Sequence, residues 1–180
     1  MPTEDIPAPA IPPQRYTSTP FPSYRFVPGR HPHPTRDPRG HSYRADPLAR
    51  RDSAWRPDDW RSLDAWLYGI DLFNARYFWE AHEAWESVWA AAPRASVAAL
   101  LLQGLIQIAA ALLKSHMGVP LGARTLSEEG LDKLRHVAAH SPKLMGLAVT
   151  RVVGEFEGYW APNARGELPT LDNVPLLTLS

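Results

Sequence analysis

Twelve of the chain's 19 prolines fall within its first 50 residues. That uneven spacing decides most of what the 180 residues can become. Proline lacks a backbone N–H and fixes φ, so neither a helix nor a central strand runs through such density. Regular structure is therefore expected only from about residue 57 onward. Residues 1–19 read as disordered. Residues 20–56 read differently, because Tyr24, Phe26 and Tyr43 are interleaved with His31, His33, Arg36, Asp37, Arg39 and His41. Aromatic rings give an extended segment something to bury, which predicts an extension packed on the body. A solvated proline-rich linker is the alternative.

Residues 57–160 read as an all-α domain, a compact bundle of about five helices, followed by an irregular tail at 161–180. In the first helix Trp60, Leu63, Leu67, Ile70 and Phe73 recur at helical spacing. Asn74 is expected to end it in the left-handed conformation. Further helices are expected over 77–89, 96–115, 121–139 and 142–159, with Gly118, Pro120 and the Ser141–Pro142 pair as punctuation. No strand is predicted. Gly69, Ala81, Trp85 and Pro93 are spaced like one tetratricopeptide unit. Such arrays need about three copies, so a single helix hairpin is the plainer expectation.

Composition narrows the function. The formal net charge is zero and no Cys is present, which gives no case for nucleic-acid or membrane attraction and excludes thiolate sites. Residues 98–113 are strongly apolar but short for a span and carry two Gln, so they read as a buried core helix. No basic-then-apolar leader is visible, and a cytoplasmic location is expected. Neither G-x-x-x-x-G-K nor G-x-G-x-x-G occurs.

Three groups of residues carry potential chemistry. His82, Glu83 and Glu86 read H-E-x-x-E, one ligand short of the zinc-protease H-E-x-x-H. A His and a carboxylate four apart share a helix face and can share a metal, yet no complete ligand set is visible and none is assigned. Gln103 and Gln107 lie one turn apart on the most apolar helix. A buried amide without partners costs about 1–3 kcal/mol, so the pair is expected to face His82 and Glu86 across a polar pocket. Arg36, Asp37 and His41 would close that pocket as a lid, with His33 a further candidate ligand-binding residue and Arg36 and Arg39 able to clamp an anion. The leading expectation is a small-ligand-binding or interaction module for a small polar or anionic ligand, with cofactor and catalytic residues unassigned. One alternative is a hydrolase-like or metal-dependent enzyme with His82 as general base oriented by Glu86. Another is a homodimer, because six of seven tryptophans lie between Trp55 and Trp89 and a small bundle must cover them.

The runs YGIDLFNARYFWEAHEAWESVW, LLQGLIQIAAALLK and GVPLGARTL, over 68–126, resemble the domain of unknown function 309 family. That family carries an F-N-x-x-x-[FY]-[FW]-E-A-H-E-x-[WL]-E-x-x-W run followed by L-Q-G-[LF]-[IL]-Q. The resemblance covers roughly residues 20–140. It implies a small all-helical fold with no assigned activity. Its signature positions fall here on Asn74, Glu80, His82, Glu83, Glu86, Trp89, Gln103, Gly104 and Gln107. Lys114 and Ser115 stand where many members carry His, a departure that weakens a metal reading.

Overall fold

Backbone punctuation sets the helix boundaries. The computed structural model describes residues 5–43, 55–93, 95–161 and 167–180. It contains α1 (Asp64–Asn74), α2 (Phe78–Ala90), α3 (Val97–His116), α4 (Pro120–His140) and α5 (Val149–Trp160). The fold is all-α, as the periodicity predicts. The expected first helix is divided: Pro57–Ser62 is a 3-10 turn, and Leu63, at φ −88° and ψ 87°, separates it from α1. The expected left-handed residue is also displaced. Asn74 stays helical and Arg76 takes φ 66° instead. Tyr77 N–H donates to Leu72 O at 2.8 Å and Arg76 N–H to Phe73 O at 2.9 Å. Those two bonds form a Schellman closure, which satisfies the last carbonyls of α1 and turns the chain into α2.

The α1–α2 hairpin closes on Gly69. A Cβ there would lie 2.2 Å from Trp85 Nε1, so only glycine lets that indole approach the helix. The repeat-like spacing of Gly69 and Trp85 thus belongs to one hairpin contact. Trp66, Phe73, Phe78, Trp85 and Phe156 are fully buried together with Leu101, Leu105, Ile108 and Leu112 of α3. Ser96 caps α3 by accepting Ala99 N–H at 3.0 Å. By length and composition alone α3 could cross a membrane. Here it packs between α2 and α4 and buries most of its leucines.

Two expectations give way. Residues 142–148, expected to open the fifth helix, form a two-stranded antiparallel hairpin, β1 (Lys143–Leu144) and β2 (Leu147–Ala148). Met145 and Gly146 both take positive φ in its turn, and Leu147 also bridges Leu179 of the tail. The hairpin offers backbone to the C-terminus, a demand that helical periodicity does not reveal. Residues 5–19, expected to be disordered, lie on the helical body instead, with Ile6 buried; residues 1–4 are outside the described part, as are 44–54 of the extension and 162–166 of the tail.

The physical reason for the second correction is Asp71, whose side chain is wholly buried on α1. Its carboxylate accepts Tyr16 N–H at 2.7 Å, Thr17 N–H at 2.9 Å and the Thr17 hydroxyl at 2.7 Å, and it pairs with Arg15 Nε at 3.1 Å. Asn74 does the same for the other terminus, donating to Leu177 O at 2.8 Å and accepting Leu177 N–H at 2.9 Å. Of the six tryptophans from 55 to 89, only Trp89 is exposed. A single chain therefore covers most of the surface that argued for a dimer.

Replacing Asp71 by Ala should strand these donors and cost about 3–5 kcal/mol, the scale for removing one member of a buried charged cluster. Denaturant unfolding and amide exchange at Tyr16 and Thr17 measure it. A loss below about 1 kcal/mol with unchanged exchange would show that Asp71 does not hold the segment.

Candidate functional site

The polar residues of α2 divide by direction. Glu80 points to the N-terminal extension and is nearly buried. Its Oε1 accepts Phe26 N–H at 2.9 Å and lies 3.0 Å from His41 Nε2. The His41 side chain is only 5% exposed, and its Nδ1 lies 2.8 Å from Ser42 Oγ. A carboxylate oxygen can only accept, so in the neutral ring Nε2 carries the proton and the Ser42 hydroxyl donates to Nδ1. Tyr24 braces the imidazole from the side: the ring centroids are 4.6 Å apart and the phenol oxygen accepts His41 N–H at 3.2 Å. Glu80 Oε2 is buried with no hydrogen-bond partner among the described residues. Other atoms of Glu80 line a cavity of about 480 Å³ between the extension and the α1–α2 hairpin, shared with His41, Ser42, Asp64, Trp79 and Glu83.

His82, Glu83 and Glu86 form a second, half-exposed cluster. His82 Nδ1 lies 3.5 Å from Glu83 Oε1, and Nε2 lies 3.5 Å from Glu86 Oε1. Both are too long for strong charge-assisted hydrogen bonds, and His82 Nδ1 is sheltered from solvent without a hydrogen-bond partner. One ligand atom from each of the three side chains falls within 4.8 Å of the others.

The glutamines are arranged differently from the expectation. Both are half-buried. Gln107 Nε2 donates to Glu129 Oε2 on α4 at 2.7 Å, while Gln107 Oε1 is sheltered with no partner among the described residues. Gln103 borders a cleft of about 550 Å³ that also includes Trp89, Leu100 and His136. The short connection between α2 and α3 makes them antiparallel.

The proposed lid residues also separate. His41 meets Glu80 and not His82. The His33 ring packs against Phe26 and Trp79 at centroid distances of 5.3 and 5.6 Å. Arg36 is exposed. Asp37 is taken up by its neighbour: Arg39 Nε and Nη2 lie 3.1 and 3.0 Å from its two carboxylate oxygens. Asp71 and Ser42 were missed by sequence reasoning. Asp71 had a legible signal, a lone charge between Ile70 and Leu72 in an apolar run, which must find partners if buried. Ser42 had none.

These features describe a small helical domain clasped by its own terminal segments, with two clusters of titratable side chains along its second helix. The model of the family described as Domain of unknown function (DUF309) matches residues 66–126, from within α1 into α4. No curated protein and no solved structure matches the chain.

The hydrogen bonds from the Arg39 guanidinium and backbone hold the Asp37 carboxyl down to about 2. A depressed value means that the pairing is present above the ordinary carboxylate range and is lost as pH falls through about 2. A carbon-13 titration of Asp37 should show this midpoint, and Arg39→Ala, which keeps the backbone N–H, should raise it part of the way toward the ordinary value of about 3.9. An ordinary midpoint in the parent protein would show that the pair does not persist in solution.

Proposed function

We propose that this protein is a small-ligand-binding module whose ligand is a divalent cation held by His82, Glu83 and Glu86. The observation that carries this reading is the convergence of one imidazole and two carboxylates within 4.8 Å at separations too long for them to satisfy one another. Two nitrogen or oxygen ligands about 2.0–2.2 Å from a common tetrahedral metal lie roughly 3.3–3.6 Å apart, so modest side-chain rotation brings the set into coordination. A mixed imidazole and carboxylate set suits zinc, manganese or iron. The acidic character of the cluster favours a cation over the anion that the arginine-rich extension brought to mind, because Arg39 is engaged with Asp37.

Gln103 and Gln107 of α3 are the amides that could serve the same site. If they turn toward the cluster, the sheltered Gln107 Oε1 could accept from a metal-bound water or an unligated imidazole N–H. The hydrolase-like alternative has less support: among the described residues no hydroxyl is hydrogen-bonded to His82, so a general base there has no proton donor beside it.

Chelator-treated protein should bind Mn²⁺ or Zn²⁺ by calorimetry. At a hundredfold excess over Kd the linkage is worth about 2.7 kcal/mol, which raises Tm by about 5–10 °C for a chain of this size. His82→Ala and Glu86→Gln should each weaken binding at least about tenfold while leaving the metal-free Tm within a few degrees. Equal affinity in the parent and both variants would place bound metal elsewhere, and no Tm change with any divalent ion would remove the reading.

A further inference from the structure

We infer that His136 and His140, packed ring against ring in the last turn of α4, chelate a late first-row transition-metal ion such as Cu²⁺ or Ni²⁺. The two residues stand four positions apart, so the helix brings them to one face, one turn apart. Two histidines at that spacing on a helix can bind one metal ion together. In this structure the rings already lie side by side: their centroids are 4.5 Å apart and their planes are inclined by 32°. Both residues are exposed, which leaves the approach open to an ion.

A second observation is the tautomer of one ring. His140 Nδ1 lies 2.8 Å from the His136 carbonyl oxygen. A carbonyl oxygen can only accept, so Nδ1 carries the hydrogen and donates it. In the neutral ring the lone pair is then on Nε2. Metal-ligating imidazoles are set in the same way, by donating the other ring N–H to a backbone carbonyl or a carboxylate. The His140 ring is therefore held in the tautomer that ligation through Nε2 needs.

The charged groups of the same stretch do not oppose a cation. Arg135 pairs with Asp132 at 2.6 Å and with Glu157 at 2.7 Å. Lys133 directs its ammonium to the Glu129 carbonyl oxygen, a turn toward the start of the helix. The histidines lie at the C-terminal end of α4, where the helix dipole favours positive charge. Ligand type then sets the choice of ion. With Asp132 taken up by Arg135, the set is two imidazoles, and for such ligands Cu²⁺ and Ni²⁺ stand well above Mn²⁺. The site is independent of the His82 cluster, which includes two carboxylates and shares no residue with it.

The probe is Cu²⁺ alone, added in small steps to the chelator-treated full chain. Binding is followed by the ring resonances of the individual histidines, which the paramagnetic ion broadens where it binds. The His136 and His140 rings should broaden together before about one equivalent has been added. His136→Ala and His140→Ala should each leave the remaining ring sharp until at least about a hundredfold more Cu²⁺ is present, because the second ligand no longer adds its effective concentration. Both changes put a strong helix former at an exposed position, so the fold is kept. Mn²⁺ at the same concentration should leave the pair sharp; its effect on the His82 ring decides the reading of that cluster and not this one. A pair still sharp at one equivalent of Cu²⁺ would overturn the inference. So would single variants whose remaining ring broadens as in the parent, since the rings would then bind separately, or Mn²⁺ broadening the pair as readily as Cu²⁺.

Discussion

The Asp71 carboxylate is the interaction on which the arrangement of the chain depends. Extended, proline-rich backbone cannot satisfy its own polar groups through a helix, and here it has almost no sheet to join. Asp71 supplies the missing acceptor: it receives two backbone N–H groups, a hydroxyl and an arginine from residues 15–17. Glu80 repeats the device for Phe26 and His41, and Asn74, acting as donor and acceptor, repeats it for Leu177. Three buried polar side chains within ten residues of α1 and α2 thus turn both terminal segments into parts of the fold. The Tyr16 phenol then joins the two termini by accepting Leu179 N–H at 2.8 Å.

This clasp explains why the sequence was legible for the helices and less so for what surrounds them. Helices announce themselves through local spacing: the stripe that ends at Phe73, the Ser96 cap and Pro120 at the start of α4 all act within a few residues. The docking of residues 5–19 has no such signal, because its determinant lies more than fifty positions away in the chain. A charge between Ile70 and Leu72 was the one available hint. The β1–β2 hairpin was hidden for a similar reason, since Leu147 pairs with Leu179 and local periodicity favours helix. Asn74 was noticed for its backbone preference, whereas its side-chain amide proved to be what the structure uses.

The same division sorts the functional candidates. Glu80 and Asn74 hold extended chain. Among the described residues, His82, Glu83 and Glu86 hold no extended chain: their separations from one another are long, and a sheltered imidazole nitrogen lies among them. Fold stability accounts for the first set and leaves the second without an equivalent explanation. Among the described residues, Gln107 hydrogen-bonds Glu129 on α4. The sequence named these polar residues but not how the α2 side chains divide between clasp and cluster. That division rests on which way each residue of α2 faces once the extension is in place.

The most direct test of this account is the anomalous difference density at the His82, Glu83 and Glu86 cluster in crystals of the full chain equilibrated with Mn²⁺ or Zn²⁺. The account predicts a single strong peak about 2.0–2.2 Å from one His82 nitrogen and from both carboxylates. Asp71 and Glu80 should remain on their backbone partners in the same crystals. Metal density at Glu80 or Asp71 with the extension displaced, or no peak at His82 while both carboxylates turn to solvent, would contradict it.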